Sequence, residues 1–167
     1  MFKNYLILFF LVLTSCSEDL SQKAKDFSKE KIIIDSHIDT PFQIWRQKNN
    51  TGSSDDITKN TSYHFDYPRA IEGGLNLPFF AIFIPARTET EGTSFNLAVE
   101  LIGMMNEIIK DNPEKFTFIN DPSDIKVLEE NKNLVGIAYG IENGAPIEGK
   151  LENIKSVSYT HLRAHET

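Results

Sequence analysis

Cysteine is nearly absent from this chain. Cys16 is the only one in 167 residues, so no intrachain disulfide can form. An excess of cations is absent too: 17 Lys and Arg face 24 Asp and Glu, a formal charge of -7. That balance gives no reason to expect a polyanion, and no nucleic-acid partner is expected. Beyond the N-terminus no apolar run reaches the ~18 residues of a spanning segment, so no internal transmembrane helix is expected. No internal repeat is visible. The apolar content of 40% is ordinary and fits a globular domain rather than a disordered chain.

The N-terminus differs in kind. Lys3 supplies a positive charge, Tyr5 to Leu13 is an almost unbroken apolar run, and Thr14, Ser15 and Cys16 follow. This is the layout of a secretory signal, too short for a spanning helix. Leu13-Thr14-Ser15-Cys16 resembles the bacterial lipobox, in which the cysteine becomes the lipidated first residue. The plainer alternative is an ordinary signal peptide with an incidental cysteine. The small residues directly before Cys16 favour the lipobox. The expectation is therefore a signal peptide over residues 1–15, lipid attachment at Cys16 and a polar tether over 16–30. Ser17 after the cysteine fits sorting to the outer membrane of a bacterial cell envelope.

From residue 31 strand and helix signals alternate. Ile32 to Ile34 is a short β-branched run, as expected of a strand buried on both faces. Residues 46–66 are polar and read as a long loop, and Pro68 to Gly73 reads as a helix ending at Gly73-Gly74. Phe79 to Ile84 reads as a second buried strand closed by Pro85. Ser94 is expected to cap an amphipathic helix to about Lys110, with Leu97, Leu101, Met104, Met105 and Ile108 at helical spacing. Phe116 to Ile119 and Leu134 to Ile141 read as further strands, with a short helix capped at Asp121-Pro122-Ser123-Asp124 between them. Strands separated by helices predict β-α-β units and a parallel sheet, with the chemistry at the C-terminal strand ends.

Two segments carry chemistry. Asp35-Ser36-His37-Ile38-Asp39-Thr40-Pro41 follows the first strand directly. In an extended chain His37 and Asp39 project to one side, and an imidazole with a carboxylate suits a divalent ion. A surface histidine beside a capping aspartate is the alternative. Gly140-Ile141-Glu142-Asn143-Gly144 ends the last strand, where Glu142 would face the same mouth and could bridge two metal ions. A solvated glutamate in a strand-to-helix loop is the alternative there.

Together with Phe65-Asp66-Tyr67-Pro68-Arg69-Ala70-Ile71-Glu72-Gly73-Gly74 and the strand Phe79 to Pro85, these segments resemble the membrane dipeptidase (renal dipeptidase) family. The resemblance covers about residues 31 to 155, with Asn143 where a second glycine is common. It implies an α/β fold, the N-terminal half of a (β/α)8 TIM-like barrel of the metal-dependent hydrolases. It implies hydrolysis of dipeptides by a metal-bridging hydroxide at a two-zinc centre. His37 and Asp39 would bind one Zn2+, and Glu142 would be the catalytic carboxylate bridging both. A dipeptide substrate and a possible homodimer of the full-length protein are implied as well.

A complete barrel takes roughly 250 residues. The family's remaining zinc histidines, its substrate histidine and its late aspartate lie further along than this chain reaches, so the 167-residue chain alone is expected to be inactive and poorly folded. Residues 156–167 read as translated sequencing adapter rather than native protein. If genuine, His161, His165 and Glu166 have spacing that can hold zinc. His64 reads as a surface or packing residue. Two other functions compete. Amidohydrolase relatives with two metals typically use His-x-His on the first strand, so Asp39 speaks for the dipeptidase. A non-catalytic surface lipoprotein would carry a degenerate ligand set, whereas His37, Asp39 and Glu142 are all present.

Overall fold

β-branched and aromatic runs alternate with helices to build one parallel sheet. The computed structural model describes the backbone of residues 19–162 and the side chains of 19–156. Strands β1 (Ile33–Ile38), β2 (Leu75–Ile82), β3 (Phe116–Phe118) and β4 (Val135–Ile141) lie in the order β1-β2-β4-β3. All three pairings are parallel. Placing β4 beside β2 leaves β4 two strand spacings from β1, roughly 10 Å.

Most of the helices cover one face of the sheet. Helix α1 (Leu20–Glu30) precedes β1, and α2 (Thr40–Thr51) and α3 (Tyr67–Gly73) lie between β1 and β2. Helices α4 (Arg87–Glu91) and α5 (Ser94–Asp111) lead to β3. A 3-10 turn, Pro122–Ile125, continues into α6 (Lys126–Glu130) before β4, and another, Ala145–Ile147, precedes α7 (Leu151–Leu162). On the helical face Phe80, Val135 and Ile137 bury against Ile44, Met105 and Ile109, while Ile82 meets Leu97, Leu101 and Ile102. The period of two along a strand sends Leu77 and Ala138 to the opposite face, where Ile119, Leu128 and Leu134 cover them. The rest of that face is open, with Ile34 51% and Phe79 36% exposed. Among the described residues no helix is long and apolar enough to cross a membrane.

The structure corrects several sequence expectations. β1 is not buried on both faces, because no layer among the described residues covers the face that carries Ile34, which is 51% exposed. The loop expected over 46–66 is helical as far as Thr51, where Gly52 in the left-handed conformation (φ 82°) ends α2. Arg46, Lys48, Asn49 and Asn50 are polar because they are solvated on the helix, and composition alone cannot separate this from a loop. Separately from these corrections, Leu20 onward within the expected tether is helical (α1), capped by Asp19 accepting from the Ser21 N–H at 3.0 Å. Helix α1 touches the domain: a Cβ at Gly74 (φ +79°) would lie 2.6 Å from the Ser28 carbonyl oxygen. β2 begins at Leu75, earlier than expected.

Ser94 is not the cap of α5. Thr93 holds that position without a side-chain hydrogen bond, and Ser94 Oγ instead lies 2.8 Å from Thr88 Oγ1. The orphan N–H of Phe95 donates to Glu148 Oε1 at 3.2 Å, so the helix is capped by a carboxylate from the segment after β4. Asp121 caps the short helical turn as expected, and Asp124 completes a reciprocal capping box with it.

Candidate metal centre

The local geometry of β1 begins with a proline in its neighbour. Asp35 pairs with Pro78 and Ile38 with Phe80, so β1 carries one residue more than β2 across this interval. Such a bulge re-aims the side chains it contains, and proline is tolerated within a sheet at a bulge. The His37 N–H donates to Asp35 Oδ1 at 3.0 Å, and that turn closes on the bulge.

Asp39 reaches the same place by another route. The sequence argument placed it on one side of an extended strand with His37. β1 ends at Ile38, and Asp39 has φ -79° and ψ 19°, at the start of α2. The turn into the helix brings its carboxylate round. An aspartate at a helix N-cap ordinarily accepts a backbone N–H, yet the Asp39 side chain makes no capping bond. Its Oδ1 lies 3.4 Å from His37 Nε2 instead.

Glu142 follows β4 directly. The ladder with β2 ends at Ile82 and Ile141, and the Glu142 N–H reaches the Ile82 carbonyl at 3.4 Å. Glu142 Oε2 comes within 3.7 Å of His37 Nε2. One ligand atom each from His37, Asp39 and Glu142 all lie within 4.8 Å of one another. The structure thus brings together the three residues singled out from sequence.

This donor set fits a divalent cation. Nitrogen and oxygen ligands ~2.0–2.2 Å from a shared zinc ion lie roughly 3–4 Å apart, and 3.4 and 3.7 Å fall in that range. Two carboxylates brought this close repel one another, and a cation between them reverses the sign. The side chains are 52%, 49% and 36% exposed for His37, Asp39 and Glu142, so the site is open to solvent and to a ligand. Two surface clefts of about 370 Å³ each lie elsewhere, and none of the three lines either.

The other expected residues fall outside this cluster. His64 is exposed and borders one of the two clefts, with Arg46 and Tyr63. Cys16 lies outside the described residues, as do the side chains of His161, His165 and Glu166. Sequence reasoning missed two residues that shape the site. Asp35 holds the bulge, and Asn143 anchors the turn after Glu142: its Nδ2 donates to the Ile84 carbonyl and its Oδ1 accepts from the Ala145 N–H, each at 3.0 Å. The Asn143-Gly144 dipeptide is a turn signal that could have pointed to the second of these.

The segment between α2 and α3 carries a buried charge. Asp66 is fully buried and caps α3, its Oδ1 accepting from the Arg69 N–H at 2.9 Å. Its Oδ2 accepts from the Thr61 N–H at 3.0 Å and from Arg69 Nε at 2.7 Å. Burial pushes the Asp66 pKa up, but these donors outweigh it and hold the carboxyl below its usual range.

Comparison with known proteins agrees with this fold. Solved structures similar in fold include a dipeptidase described as a metallopeptidase of family M19, with TM-score 0.64 and 19% identity over 80% of this chain and 43% of that one. The probable dipeptidase PvdM from Pseudomonas aeruginosa matches with TM-score 0.69 and 17% identity over 87% of this chain and 36% of that one. A metallopeptidase from Rhodobacter sphaeroides, solved with a phosphinate mimic of the dipeptide L-Ala-D-Ala, matches with TM-score 0.63 and 18% identity over 78% and 43%. The chain therefore spans less than half the length of these proteins, and its four parallel strands are the N-terminal half of a (β/α)8 barrel. The family model for membrane dipeptidases matches residues 21–166, and the chain belongs to that family, peptidase family M19.

Proposed function

We propose that this chain is the N-terminal part of a zinc-dependent dipeptidase, anchored by a lipid on Cys16 in the bacterial cell envelope. The observation that carries the reading is the convergence of His37, Asp39 and Glu142 at the C-terminal ends of β1 and β4 in a chain of this family. The phosphinate mimic of L-Ala-D-Ala bound to the Rhodobacter sphaeroides protein supports a dipeptide as substrate.

His37, Asp39 and Glu142 would hold the metal ions. When bound, such ions supply an activated water and an electrophilic pull on the substrate carbonyl. The chain's own contribution is to hold three donors in place. The bulge aims His37, the uncapped Asp39 side chain stays free to bind, and the end of β4 carries Glu142 to the mouth. The remaining ligands are expected from chain beyond these residues, so the 167-residue chain by itself is proposed to be inactive.

The test is hydrolysis of dipeptides, L-Ala-D-Ala among them, by the zinc-loaded full-length protein and by residues 16–167 alone. Turnover is expected from the first, with loss in Asp39→Ala. No turnover by the full-length protein would sink the dipeptidase reading. Turnover by the short chain well above its own Asp39→Ala variant would sink the proposal that it is inactive. The anchor is tested separately: a clickable palmitate analogue should label the wild-type protein in cells and not Cys16→Ala.

A further inference from the structure

We infer that Asn143 is a positioning residue that sets where Glu142 stands relative to His37; the inference rests on the metallopeptidase reading of the site. The argument starts from what holds Glu142. Among the described residues its carboxylate takes no backbone hydrogen bond, and its near neighbours are His37 and Asp39. Its direction must therefore come from the backbone on either side. On the N-terminal side the ladder is already failing: the Glu142 N–H to Ile82 carbonyl contact is 3.4 Å, at the long end for such a bond.

The firm attachment lies one residue later. Asn143 Nδ2 donates to the carbonyl of Ile84, which belongs to the chain continuing from β2 and is 1% exposed. Asn143 Oδ1 accepts the Ala145 N–H. One amide group thus ties the end of β4 both to its neighbour and to its own following turn. The partners are a carbonyl and an N–H, so they fix which end of the amide is which. The anchor points are themselves rigid: Ala145 packs against the cluster of Ile82, Ile84 and Leu97, and Pro146 is buried. Glu142 is held between Ile141, in the ladder, and Asn143, in this clamp. Glycine at position 143 would offer neither bond.

The experiment uses the full-length protein. Zinc affinity is measured by competition with a chromophoric chelator, and the visible spectrum of the Co2+-loaded protein reports ligand geometry. Asn143→Ala is expected to weaken metal binding by about 10-fold, the lower end of the range for residues that orient ligands, and to shift the Co2+ spectrum. Asn143→Ser, which keeps an acceptor for the Ala145 N–H but cannot reach Ile84, should fall between that variant and wild type. A purely structural role would lower the melting temperature of the metal-free protein and leave affinity and spectrum unchanged; that result in either variant overturns the inference. Glu142→Ala is the reference for a lost ligand. If wild type itself binds no more tightly than Glu142→Ala, the metal reading falls, and this inference with it.

Discussion

His37 Nε2 lies 3.7 Å from Glu142 Oε2, although the two residues belong to strands that are not neighbours. β2 stands between them and supplies both registers: Pro78 opposite the bulge that carries His37, and Ile82 opposite the residue before Glu142. The cluster of His37, Asp39 and Glu142 is assembled across β2 without taking a member from it.

This dependence predicts how the ligands respond to substitution. His37→Ala, Asp39→Ala and Glu142→Ala should each lower zinc affinity by more than the ~100-fold upper range seen for residues that merely orient ligands. Chelator competition on the full-length protein measures it. Retained affinity in any one of them would remove that residue from the centre.

Acid stability should depend on Asp66. Its folded pKa is held below the ordinary 3.8, so the unfolded chain takes up protons first as pH falls. A depressed carboxyl contributes stability that is fully present above about pH 4 and is lost as pH drops through the folded value. Asp66→Asn should therefore flatten the fall in stability below about pH 4. At neutral pH it should cost about 1–2 kcal/mol, the scale of a weakened buried acceptor. Half the Arg69 side chain is exposed, so its charge adds little. Urea midpoints between pH 3 and 7 would show the difference, and parallel curves for the two proteins would contradict it.

Glu148 should behave as a helix cap borrowed from a distant segment. It sits at φ 50° after the turn Ala145–Ile147 and accepts the Phe95 N–H at 3.2 Å. Glu148→Ala is expected to lower stability by about 1 kcal/mol, as loss of a cap does, with zinc affinity close to wild type. Chemical denaturation checks the first part and metal titration the second.

The sequence was most informative where the determinant is local. The apolar spacing of Leu97, Leu101 and Met105 placed α5, and Asp121 with Asp124 placed the turn before α6, because both signals lie within a few residues of what they shape. β1 was misjudged for the converse reason. Ile32 to Ile34 looks the same whether one or both faces of the strand are covered, and only the packing of other layers on the sheet distinguishes them. The polar residues 46–50 misled because a solvated helix face and a loop share one composition.

By itself the sequence determined which side chains are the candidates for the chemistry, since the identities of His37, Asp39 and Glu142 and their places beside strand signals can be read directly. Only the tertiary structure decided how they meet. The bulge opposite Pro78, the turn that redirects Asp39, the placement of β4 beside β2 and the Asn143 clamp each depend on contacts between separate segments or on where β1 gives way to α2. Periodicity encodes which face a residue occupies. Strand order and register are set by pairing across the whole sheet, and that pairing brings a glutamate on one strand to within ångströms of a histidine on another.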